Sequence, residues 1–108
     1  MTLSALGAAM GNLATTYSDL GRHQDALVMM EKTLEFMRRV LPENHPDIGI
    51  SCLNLGISCR KVGDLHRALQ FAREALRIFQ ATLPPSHPLF TQVQQLVLRC
   101  EGDTARRS

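Results

Sequence analysis

The chain matches itself when shifted by 42 positions. Asn12/Asn54, Leu13/Leu55, Gly21/Gly63, Ala26/Ala68, Leu27/Leu69, Leu34/Leu76, Leu41/Leu83, Pro42/Pro84, His45/His87 and Pro46/Pro88 are identical pairs in one ungapped register. Conservative pairs such as Phe36/Ile78 lie between them. Self-similarity at this period constrains the fold more than any other feature of the sequence. A unit this short cannot bury its own hydrophobic face, so successive units must stack and share a core.

Each unit is punctuated twice, in the same way. Gly21 and Gly63 stand where one apolar-periodic run stops and the next begins, as a helix-ending residue of positive φ would. The second break is L-P-E-N-H-P-D at 41–47 and L-P-P-S-H-P-L at 83–89. Pro46 and Pro88 suit the first turn of a new helix, and Asn44 or Ser86 just upstream can cap it. The pattern predicts an all-α chain of about five helices, at 2–19, 24–40, 46–61, 65–82 and 88–101, arranged as tandem antiparallel pairs. No strand is needed. Residues 1–102 form one domain: repeat one at 4–45, repeat two at 46–87, and at 88–101 the first helix of a third repeat or a cap. Residues 103–108 read as a disordered tail.

The residues N-L-A-x-x-Y-x-x-x-G at 12–21, then Ala26, a long second helix and H-P-D at 45–47, resemble the tetratricopeptide repeat. The variety is the 42-residue one of kinesin light chains and nephrocystin-like proteins. Unit two repeats the pattern as N-L-G at 54–56, Gly63, Ala68, Ala75 and H-P at 87–88. It departs from it with Cys59 in place of Tyr17 and Leu89 in place of Asp47. The resemblance implies a right-handed α-solenoid whose first helices line a concave groove that receives a protein partner. Carried over by register, groove positions are Ala8, Gly11, Asn12 and Thr15 in the first unit. They are Ile50, Leu53, Asn54, Ile57 and Lys61 in the second, and Gln92, Gln95 and Arg99 in the third. A lysine clamp for a terminal carboxylate is missing, since Gly11 and Leu53 stand where lysines would help.

Read at about 100° per residue, segment 46–61 is apolar nearly all round. Ile48, Cys52, Leu55, Cys59 and Val62 form the core stripe. Ile50, Leu53 and Ile57 form a second stripe, which serves either as a groove floor or as a seam against the neighbouring helix. Asn12 and Asn54 can offer donor and acceptor to a peptide backbone, or bond helix to helix inside the stack. Arg60, Lys61 and Arg99 favour an acidic partner. In segment 88–101, Leu89, Phe90, Val93, Leu96, Val97 and Cys100 share one arc, opposite Thr91, Gln92, Gln94, Gln95, Arg99 and Glu101, with Leu98 the exception. That is the pattern of a solubilising cap. Segment 2–19 carries a small-residue reverse face (Ala5, Ala8, Ala9, Gly11, Asn12, Thr15 and Thr16), which suits close approach by an upstream repeat or by a second copy.

Composition narrows the function by exclusion. A net charge of +2 provides no electrostatic footprint for nucleic acid. No run approaches a membrane span of ~20 apolar residues, and the apolar opening lacks the basic start of a secretory signal. Cys52, Cys59 and Cys100 are an odd number with no C-x-x-C pair, so they read as buried free thiols of a cytoplasmic protein, with Cys100 the more accessible. His45 and His87 recur with the repeat and read as turn residues; His23 and His66 sit at the glycine turns. No metallopeptidase, nucleophile-elbow or phosphate-loop motif occurs, and no acid/base pair stands out. The expectation is a protein-interaction module without cofactor, metal or catalysis, its partner a peptide or helix. The alternative is a scaffold that self-associates through its first helix into a homo-oligomer.

Overall fold

The computed structural model describes residues 21–107. They form four helices and no strand: α1 (His23–Val40), α2 (Pro46–Lys61), α3 (Leu65–Thr82) and α4 (Pro88–Arg107). The helix expected at 2–19, with Asn12 and Thr15, lies outside the described residues. The bounds expected for α1, α2 and α3 are met to within one residue.

Two kinds of turn produce this register. After α2, Gly63 adopts φ +89°. Its N–H donates to Arg60 O at 3.0 Å while Asp64 N–H donates to Cys59 O at 2.9 Å, which closes the helix with paired backbone bonds. Asp64 then caps α3, its carboxylate accepting from Arg67 N–H at 3.2 Å. One short turn thus ends a helix and starts its antiparallel partner. The other turn is the His-Pro corner. Pro46 opens α2 and Pro88 opens α4, but neither Asn44 nor Ser86 is the cap. His45 Nδ1 accepts from Asp47 N–H at 3.0 Å, and His87 Nδ1 accepts from Leu89 N–H at 3.2 Å. Asn44, at φ +63°, instead holds Arg77 of α3 at 2.8 Å.

Helix α2 is central: among the described helices it alone packs against the other three. Its closest neighbour is α3, and two glycines permit the approach. A Cβ on Gly49 would sit 2.6 Å from Phe79 Cε1, and one on Gly56 would sit 2.8 Å from Leu96 Cδ2 and 3.2 Å from Ala68 O. Ala26 and Ala68, the small residues shared by the two units, are fully buried. Against α1 the contact is a methionine seam, in which Ser51 donates to Met37 Sδ at 3.1 Å and the buried Ser58 to Met30 Sδ at 3.2 Å. On the far side, Arg38 pairs with Glu74 at 2.5 Å and Arg67 pairs with Glu31, joining α1 to α3. These pairs are substantially exposed and contribute a few tenths of a kcal/mol each.

Helix α4 departs from expectation at its end. It continues to Arg107, so the segment assigned to a disordered tail is helical as far as 107. Asp103 anchors the extra turns by accepting from Arg60 Nε of α2 at 2.8 Å, and Thr104 bonds back to Cys100 O at 2.8 Å. Cys100 therefore lies inside a helix and is fully buried, not frayed. The apolar arc of α4 otherwise faces inward as read, with Val93 and Leu96 buried and Leu89, Phe90 and Val97 half-buried.

Candidate functional site

The surface α2 leaves uncovered is one narrow ridge. Ile50, Asn54, Ile57 and Lys61 are spaced four, three and four residues apart and are all exposed. Ile50 and Ile57 each keep 37% of their surface, a large share for isoleucines on the middle helix of a stack. The pattern is apolar, polar, apolar, cationic.

Leu53 is not part of this ridge. It is 2% exposed and belongs to the continuous core, with Leu55, Cys52 and Cys59. The physical reason is angular. Leu53 stands about 60° around the helix from Ile50, and that is enough to turn it from the open side into the packing between helices. The second stripe of the sequence reading therefore divides into an open pair and a core residue.

Arg60 also differs from its expected role. It is half-buried, and Asp103 holds its guanidinium across the α2–α4 contact. Lys61 and Arg99, by contrast, are both exposed. Lys61 adjoins Arg60, and Arg99 lies one turn before Asp103. Gln92 and Gln95 are exposed on α4. Leu98, the exception on the polar side of that helix, is 66% exposed. Asp103 was invisible as a site residue, because a lone acid in a short charged segment carries no signal of the arginine it will meet 43 positions away.

The three cysteines are free and buried. Burial pushes the Cys52 thiol up to about 11 and raises those of Cys59 and Cys100. No group of histidine, cysteine and carboxylate side chains among the described residues could hold a metal ion. None of the described helices is long and apolar enough to cross a membrane.

Antiparallel pairs repeating along a stack, with an exposed ridge on the inner helix, define a helical-repeat fold. The family model "Tetratricopeptide repeat" matches residues 5–81. The chain belongs to the tetratricopeptide repeat family. Among solved structures it is similar to the nearly identical TPR-like repeats of a Podosopora anserina protein assigned as a kinesin light chain. The TM-score is 0.86 at 22% identity, over 98% of this chain and 50% of that one. A single-substitution variant of the same protein matches equally, with TM-score 0.86 at 21% identity and the same coverage. The chain thus spans half the length of these structures, and at this identity the likeness shows the fold. No curated protein gives a significant sequence match.

Proposed function

We propose that this chain binds a peptide or helix of a partner protein along the ridge Ile50–Asn54–Ile57–Lys61, with Gln95 and Arg99 of α4 completing the surface. Tetratricopeptide repeats are in general protein-interaction modules of a non-catalytic scaffold type. The observation that carries the finer reading is the split on α2. Leu53 is taken into the core while Ile50 and Ile57, three and four residues away, remain open. Two isoleucines held apart by an exposed carboxamide give a peptide two apolar anchors and a backbone hydrogen-bonding group between them. Lys61 and Arg99 at the end of the ridge favour a partner with an acidic residue beside its apolar ones.

Site-specific photocrosslinking tests this. A photoreactive residue at 54 or 57 should trap the partner, and one at the exposed Val28 of α1 should not. Equal crosslinking from 28 and 57 would refute the ridge as the binding surface.

A further inference from the structure

We propose that the two His-Pro corners form an asymmetric acid sensor: mild acidification loosens the first turn of α4, through His87, ahead of the first turn of α2. The inference stands apart from the binding surface proposed above, although the helix it loosens carries Gln95 and Arg99.

The corners are built alike. His45 N–H donates to Pro42 O at 3.1 Å and His87 N–H to Pro84 O at 3.0 Å. Each ring then turns back onto the helix it precedes and accepts from the second helical residue through Nδ1, at 3.0 Å in one case and 3.2 Å in the other. A ring nitrogen accepts a hydrogen bond only while it carries no proton. Protonation would convert each cap from acceptor to donor and set a cation against the positive end of a helix. Histidine is the side chain whose charge ordinarily changes under mildly acidic conditions.

What differs is the compensation. At the first corner Asp47 stands within the first turn, its Oδ2 3.9 Å from His45 Nδ1. A protonated His45 keeps an ion pair, and the carboxylate also offsets the helix dipole. The repeat puts Leu89 in the matching place at the second corner, half-buried against the core. From α3, the last turn carries no charge, and Arg77 before it is engaged by Asn44. The corner residues 83–86 are uncharged, and on α4 the first charged residue is Arg99. From α2, Asp47 pairs with His45, and His87 takes part in no ion pair among the described residues. A proton on His87 therefore has nothing to replace the bond it breaks.

Hydrogen exchange read by mass spectrometry, corrected for the intrinsic pH dependence of exchange, tests the asymmetry on the intact chain. Between about pH 7.5 and about pH 5.5, the segment 83–93 should exchange about fivefold faster, the size of effect an N-cap carries. The segment 41–51 should change by less than about twofold. In His87→Asn, where the carboxamide caps without titrating, the acceleration at 83–93 should vanish. If that variant does not fold, the ring nitrogen shifts of the parent chain decide instead: Nδ1 of His87 must gain its proton as exchange at 83–93 rises. Equal acceleration at both corners, no acceleration at 83–93, or acceleration that persists in His87→Asn would each overturn the proposal.

Discussion

The two sides of α2 differ both in the residues they carry and in what lies against them. The side toward α3 carries Gly49, Cys52, Gly56 and Cys59, pressed so close that a methyl group on either glycine would overlap a neighbour. The other side carries Ile50, Asn54, Ile57 and Lys61, with solvent over them. Small residues are thus used where the contact is tightest, and large apolar ones remain where nothing in the described chain covers them. In this helix hydrophobicity alone does not mark the core; proximity of a second helix does.

The largest test of that contrast is Leu53, which sits at the border between the two sides. Leu53→Glu places an unpaired carboxylate in a site 2% exposed, a change that costs upward of about 4 kcal/mol. Circular dichroism should show loss of the cooperative helical transition. A folded Leu53→Glu with near-parental melting would return Leu53 to the open side.

The thiols on the pressed side supply the next test. Burial holds the Cys52 proton to about 11 against a value of 9.0 in an exposed thiol. Above pH 9 the unfolded chain releases this proton while the folded chain retains it, so stability must fall as pH rises. The stabilisation is complete below 9 and lost toward 11, amounting to about 2–3 kcal/mol for this group. Denaturant melts across that window should show the decline, and Cys52→Ala should shrink it. At neutral pH all three thiols should label slowly in the native state. Fast labelling of Cys52 or Cys59 would show that the pressed side is open.

Glycine substitutions read the same contrast with opposite signs. Gly49→Ala drives a Cβ to 2.6 Å from the ring of fully buried Phe79. The overlap should outweigh the gain in helix propensity and cost about 1–2 kcal/mol. Gly102→Ala on α4 meets only Arg106 Nη2, at 4.0 Å, and should stabilise by about 0.5–1 kcal/mol. Melting both variants checks the pair; a stabilising Gly49→Ala would mean that the α2–α3 crossing is looser than described.

What could be read in advance follows from the reach of each signal. The bounds of α1, α2 and α3 are local, written by Gly63, the His-Pro corners and the apolar periods, and they were legible. So was the core stripe of Ile48, Cys52, Leu55 and Cys59, because its residues repeat at helical spacing; Val62, read as its last member, is only half-buried against it. The side to which Leu53 belongs was not legible. A helix apolar nearly all round has no preferred direction, and only the positions of its neighbours choose one. The caps were half legible: the recurrence of His45 and His87 marks the turn, but the choice of ring over Asn44 or Ser86 depends on rotamers that composition does not encode. The Arg60–Asp103 contact depends on two helices meeting, which no local pattern reports.

The smallest expected effect on stability bears most on function. Ile57 keeps 37% of its surface and no described residue closes over it. Ile57→Glu forfeits little burial and leaves its carboxylate hydrated, so the change in stability should stay within about 0.5 kcal/mol. If the ridge receives a partner, the same carboxylate must be desolvated against an apolar anchor, which costs several kcal/mol and abolishes capture. The comparison with Leu53→Glu is then complete, with one substitution removing the fold and the other only the binding. Thermal melts and capture assays on Ile57→Glu, with Leu98→Glu as an exposed control on α4, give the answer. A variant that melts with the parent and still captures the partner would show that binding lies elsewhere on the molecule. One that unfolds would show that the ridge is part of the core after all.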